Sequence, residues 1–116
     1  MSQGRESDET VGEVTIDGPI RSLPITRTGE QFEIRVEGDV AVMTYRVNGS
    51  AVSLLHTEVP VALRGQGLGE ALAQAALEDT RRRGLTVRPY CPFVARYIER
   101  HSEFLPLVDP GFSKDR

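Results

Sequence analysis

Two tight turns limit what this chain can fold into. Asn48-Gly49 separates two apolar, β-like stretches, and Gly38-Asp39 separates the first of these from another. Asn-Gly between alternating segments is the strongest short-range hairpin signal a sequence carries. Phe32, Ile34 and Val36 alternate with Glu33, Arg35 and Glu37. Val40, Val42, Thr44 and Arg46 then alternate with Ala41, Met43, Tyr45 and Val47. A period of two marks half-buried strands. A third strand follows from Ala51 to Val59 and stops at Pro60. Three strands joined by turns this short form an antiparallel meander.

The pattern then changes. Arg64-Gly65-Gln66-Gly67-Leu68-Gly69 opens a helix predicted from Gly67 to Arg83. Its buried stripe is Leu68, Ala71, Leu72, Ala75 and Ala76, with Gln74, Glu78 and Asp79 outside. Arg81, Arg82 and Arg83 sit in its last turn as a solvated helix end, and Gly84 supplies the stop. Leu85 to Arg88 is a fourth strand, parallel to the third, because a strand–helix–strand crossover of this length returns in parallel. Pro92 occupies the first position of a second helix reaching His101, and Phe104 to Val108 adds a strand or covers the sheet. The expected fold is α/β (α+β): a mixed, mostly antiparallel sheet flanked by two main helices.

At 116 residues the chain is sized for one domain. A net charge of -3 gives no electrostatic support to a nucleic-acid or anionic-membrane partner. Residues 1–24 hold Glu6, Asp8, Glu9, Glu13 and Asp17 against Arg5 and Arg21, and read as a flexible acidic leader with a short strand near Val14-Thr15-Ile16. The single cysteine, Cys91, excludes an intrachain disulfide framework. The N-terminus lacks a secretory apolar stretch, and no run reaches membrane-spanning length. A soluble cytoplasmic protein is the expectation. Two histidines and one cysteine without ligand spacing lead us to expect no metal.

Glycines at 65, 67 and 69 leave backbone amides unscreened, and the helix behind them points its positive end at the same place: an anion site. It is not a P-loop, because no lysine precedes Lys114, and Glu70 stands where a dinucleotide fingerprint needs glycine. The stretch Val59-Pro60-Val61-Ala62-Leu63-Arg64-Gly65-Gln66-Gly67-Leu68-Gly69 resembles the acyl-CoA-binding motif of the GNAT acetyltransferases, Gln/Arg-x-x-Gly-x-Gly/Ala, with Arg64, Gly67 and Gly69 in its defining places. His56-Thr57-Glu58-Val59-Pro60, Cys91-Pro92-Phe93-Val94-Ala95 and Tyr97-Ile98-x-x-His101 are similar to small single-domain members of that family. The resemblance covers about residues 31–108 and implies a GNAT-like acyl-CoA-binding domain over residues 25–116. It implies acetyl-CoA as acyl donor and an unidentified amine as acceptor. Amides from Leu63 through Arg64, Gly65, Gln66, Gly67, Leu68 and Gly69 would hold the pyrophosphate, and the strand edge at Glu58 and Val59 would pair with the pantetheine arm.

Acyl transfer needs a neutral amine, a stabilised oxyanion and a proton for the departing thiolate. Tyr97 is the first candidate acid, since the resemblance places a thiolate-protonating tyrosine on this helix; otherwise it packs its ring into the sheet. Cys91, at the helix N-cap, is either a nucleophile, a wall of the pantetheine channel or a small buried side chain. His56 and Glu58 lie two apart on one strand face and form either a proton relay for the amine or a structural pair. Larger family members build their acceptor pocket from helices between the first two core strands, and Gly38-Asp39 leaves no room for them. The acceptor site is therefore open to a large or protein-borne amine, completed by a second subunit as in a homodimer, or absent. The rival reading is a CoA-binding module without turnover.

Overall fold

The computed structural model describes residues 8–16 and 21–112. Six strands form one sheet in chain order: β1 (Glu9–Ile16), β2 (Arg21–Arg27), β3 (Gln31–Val36), β4 (Asp39–Asn48), β5 (Ala51–Glu58) and β6 (Thr86–Pro89). All neighbours are antiparallel except β5 and β6, which run parallel. Helices α1 (Leu68–Arg82) and α2 (Pro92–Arg100) follow β5 and β6, and a 3-10 segment, Ser102–Leu107, packs beside α2. This is the mixed, mostly antiparallel sheet with two main helices that the patterning predicts.

Alternation places Phe32, Ile34, Ala41, Met43, Tyr45, Val52 and Leu54 in the core, where they meet Leu72, Ala73, Ala76 and Leu77 of α1. Both predicted turns lie one residue away from their expected places. Asn48 pairs with Ala51, so Gly49 and Ser50 form the two-residue loop, and Gly49 takes φ +64° at the first loop position. That is the place where a II′ hairpin requires glycine. Val36 pairs with Asp39, leaving Glu37 at φ +57° and Gly38 in the other loop. Helix α1 ends in a Schellman arrangement: Gly84, at φ +71°, donates to the Arg81 carbonyl and Leu85 donates to that of Thr80. The C-terminal apolar segment covers the sheet edge, with Val108 bridging Val87 in parallel and Asp109 donating its N–H to the Val87 carbonyl.

Two expectations are corrected. The leader assigned to residues 1–24 is ordered over Glu9–Ile16 and from Arg21, because β1 pairs along its length with β2 and packs on α1; residues 1–7 and 17–20 lie outside the described residues. Asp79 is buried rather than solvated. The Arg27 guanidinium donates to both Asp79 oxygens at 2.7 and 2.6 Å, and Arg82 and Arg83 reach the same carboxylate at 3.2 and 3.3 Å. Arg27, at the far end of a strand that begins inside the stretch read as leader, thus ties the sheet to the C-terminal end of α1, and the arginines predicted to be solvated include two of that carboxylate's partners.

Removing one partner of a buried pair leaves uncompensated charge and costs roughly 3–5 kcal/mol, whereas a half-exposed partner contributes about 1 kcal/mol or less. Asp79→Ala, which leaves Arg27, Arg82 and Arg83 facing one another, should therefore lose several times more stability in urea unfolding than Arg82→Ala. Equal losses would show that the carboxylate is not the centre of the cluster.

Candidate acyl-CoA site

Strands β5 and β6 pair only from Ala51↔Thr86 to Leu54↔Pro89. There they part: the Cys91 N–H closes the end with a 2.9 Å bond to the Leu54 carbonyl. β5 continues past Leu55, which has no partner in the β4 register between Tyr45↔Leu54 and Thr44↔His56. Such a bulge re-aims the strand beyond it, and bulges are over-represented next to active sites. From Leu55 onward β5 has β4 on one side and, among the described residues, no strand on the other.

Two adjoining clefts of about 430 and 370 Å³ lie along that open side. The first runs past His56, Thr57, Glu58 and Val59; the second follows the glycine turn from Leu63 to Glu70; Val59, Arg64, Gly69 and Phe93 belong to both. Phe93, at the start of α2, was missed by reading the sequence for acids, bases and glycines. Its signal is Gly69: a Cβ there would stand 3.0 Å from the Phe93 ring, so the third glycine makes room for an aromatic wall.

The turn begins as a 3-10 segment, Val61–Leu63, in which Leu63 donates its N–H to Pro60 and Arg64 donates its N–H to Val61. Leu63 and Arg64 thus spend the amides expected to face an anion, and the Leu63 side chain is core. Gly65 and Gly67 adopt φ +84° and +79°, Gly67 caps α1 with no side-chain bond, and the first N–H to return to a carbonyl is that of Ala71, to Gly67. Among the described residues the N–H groups from Gly65 to Glu70 carry no backbone bond. The unspent amides therefore start two residues later than expected.

The structure brings some candidates together and keeps others apart. His56 Nε2 lies 3.8 Å from Glu58 Oε1, both side chains exposed on one face of β5. Thr57 points the other way, and its Oγ1 meets Cys91 Sγ at 3.4 Å. Cys91 is buried at the N-cap of α2, behind Thr57 and outside both cleft walls. Tyr97, one turn beyond Phe93, is also buried and outside both walls. Its ring stacks on His101 at 4.0 Å and 17°, and His101 Nδ1 donates to the Tyr97 carbonyl at 2.9 Å. No described residue hydrogen-bonds the Tyr97 hydroxyl. Burial, reinforced by Glu70, Glu103 and Glu78 and opposed by Arg100, raises the Tyr97 pKa above the usual tyrosine value. Among the described residues no group of three or more His, Cys, Asp or Glu converges as a metal site would require, and no helix is long and apolar enough to cross a membrane.

Comparison with known proteins bears on this geometry. The family model described as GCN5-related N-acetyl-transferase matches residues 31–107. The chain belongs to that family. It is also similar to Protein NATD1 of Mus musculus, 38% identical over 98 residues covering 80% of this chain and 88% of the mouse protein. Protein NATD1 of Homo sapiens is 37% identical, covering 79% and 85%, and that of Danio rerio 35%, covering 67% and 76%. The family match begins at β3 and ends with the 3-10 segment, so it takes in the bulge, the glycine turn and α2. The β1–β2 hairpin lies outside it.

Gly69→Ala tests the wall. The new methyl must displace the Phe93 ring by a few tenths of an ångström, and such overpacking costs about 1–3 kcal/mol. Phe93→Leu in the same chain should recover most of that loss in urea unfolding, and failure of the double variant to recover would place the strain elsewhere.

Proposed function

We propose that this protein transfers an acyl group from acyl-CoA, acetyl-CoA in the first instance, to an amine. The observation that carries the reading is that the unspent amides of Gly65–Glu70 and the open side of β5 lie along adjoining clefts sharing Val59, Arg64, Gly69 and Phe93. Coenzyme A has the matching order of groups: a pyrophosphate, then a linear arm with two amides, then sulfur. Backbone N–H groups at a helix N-terminus suit the first, and unpaired strand groups suit the second.

In the proposed reaction the amine attacks the thioester carbonyl and the C–S bond breaks. The thiolate takes a proton from Tyr97, and the new amide gives its proton to the His56–Glu58 pair. A phenol is protonated at neutral pH, as an acid must be, and the raised Tyr97 pKa extends that protonated state to higher pH. Cys91 and Thr57 border the point where β5 and β6 part, and Cys91 is a second candidate for contact with the thioester. The exposed His56–Glu58 face is not enclosed by any described element, which suits a protein-borne amine or a site completed by a second subunit.

The second reading, a CoA-binding module without turnover, is favoured by one observation: neither Tyr97 nor Cys91 contributes to a cleft wall. Calorimetry and thiol release separate the two. We expect CoA to bind and acetyl-CoA to be consumed with a peptide or polyamine acceptor, with Tyr97→Phe lowering kcat roughly 10²–10⁴-fold, the usual worth of a general acid. Because the acid works protonated and its pKa is raised, wild-type activity should persist through the ordinary tyrosine range. It should fall only as pH rises through the raised value, and Tyr97→Phe should lack that limb. Binding with no thiol release for any acceptor leaves the module, and no binding at millimolar CoA removes both readings. An acetyl adduct in intact mass that vanishes in Cys91→Ala would assign the cysteine a covalent step.

A further inference from the structure

Arg64 does something that an anion-binding arginine has no need to do. Its Nε donates to the Val59 carbonyl at 2.9 Å, five residues back along the chain. Val59 follows the last residue of β5 and lines both clefts, as Arg64 does. The side chain therefore lies across the junction of the two clefts. Its N–H satisfies a carbonyl at the open end of the strand, the kind of acceptor that an extended, amide-bearing ligand adding to a strand edge would use.

Among the described residues Arg64 is also the one arginine or lysine in the walls of either cleft, which carry Glu58 and Glu70 as well. Of those residues, a phosphate approaching the amides of Gly65–Glu70 meets two carboxylates and one guanidinium. The same side chain thus has two competing partners: the Val59 carbonyl, and any anion held at the turn.

We propose that Arg64 is a latch: it stands in for the ligand's amide on Val59 in the free protein and is released toward the pyrophosphate when acyl-CoA binds. The proposal rests on the acyl-CoA reading above and adds the order of events at that site. It accounts for the residue type. The bond to Val59 uses only the Nε–H; glutamine carries an N–H nitrogen the same number of bonds from Cα and can make it too, whereas only arginine brings charge. Breaking the bond costs part of the binding energy of the arm, since the apparent affinity is reduced by the fraction of molecules already unlatched.

The two halves of the ligand should respond to substitution in opposite directions. Pantetheine, which lacks phosphate, and ADP, which lacks the arm, are titrated calorimetrically against wild type, Arg64→Ala and Arg64→Gln, in competition with CoA where direct heats are small. In Arg64→Ala, pantetheine should bind roughly threefold to tenfold tighter, the usual worth of one exposed hydrogen bond, and ADP severalfold weaker. In Arg64→Gln, pantetheine should bind as it does to wild type and ADP as it does to Arg64→Ala. Arg64 is exposed, and unchanged urea unfolding of the variants would confirm that the fold is intact. Pantetheine binding that is unchanged or weaker in Arg64→Ala, while CoA still binds, overturns the latch and leaves the acyl-CoA reading standing. If CoA binds none of the three proteins, that reading falls and the latch falls with it.

Discussion

The structure turns on where β5 loses its second neighbour. Over Ala51–Leu54 it is hydrogen-bonded on both sides; past the Cys91–Leu54 bond and the bulge at Leu55 it keeps only β4. Backbone groups in a sheet interior are spent on the ladder, so a strand can serve a ligand only along a released edge. The candidate groups lie along or beside that released half: His56 and Glu58 on one face, Thr57 against Cys91 on the other, Val59 at its end. The release comes where the short β6 ends at Pro89 and the chain turns into α2. A parallel return needs a crossover, and this one brings the glycine turn and the head of α1 alongside the freed edge.

Much of the fold was legible because its signals are local. The alternation in β3 and β4, the proline after β5, the glycine after α1 and Pro92 at the start of α2 each report one element from a handful of adjacent residues. The turns were displaced by a residue because an Asn-Gly pair announces a hairpin without saying which two residues form the loop; cross-strand register decides that, and here Asn48 pairs with Ala51. Asp79 was misplaced for a different reason. Helical periodicity puts it among Gln74 and Glu78 on the polar side, and only the arrival of Arg27 from a distant strand makes its burial affordable. That strand was itself hidden, since Arg21–Arg27 begins inside the stretch read as leader and Pro24 interrupts it.

The site was less legible than the fold. Residue types with obvious chemistry were found, and the structure brings His56 to Glu58 and assembles the glycine turn. It also moves the unspent amides downstream of Leu63 and Arg64, which the 3-10 turn consumes. Phe93 escaped notice because an aromatic wall has no chemical signature, and its trace lies in a neighbour's missing side chain at Gly69. Tyr97 sits against His101 rather than in a cleft wall, a placement that spacing along one helix does not specify.

Helix α1 is finished at one end and unfinished at the other. Its C-terminus has both closures of the Schellman turn and a buried carboxylate gripped by three arginines, while its N-terminus is capped by a glycine that offers no side-chain oxygen. An anion seated there would complete the helix as a serine or aspartate cap does elsewhere. Occupancy and folding are then thermodynamically linked, since whatever binds only the native state raises its population. In a cell, the supply of that anion would help determine how long this protein survives.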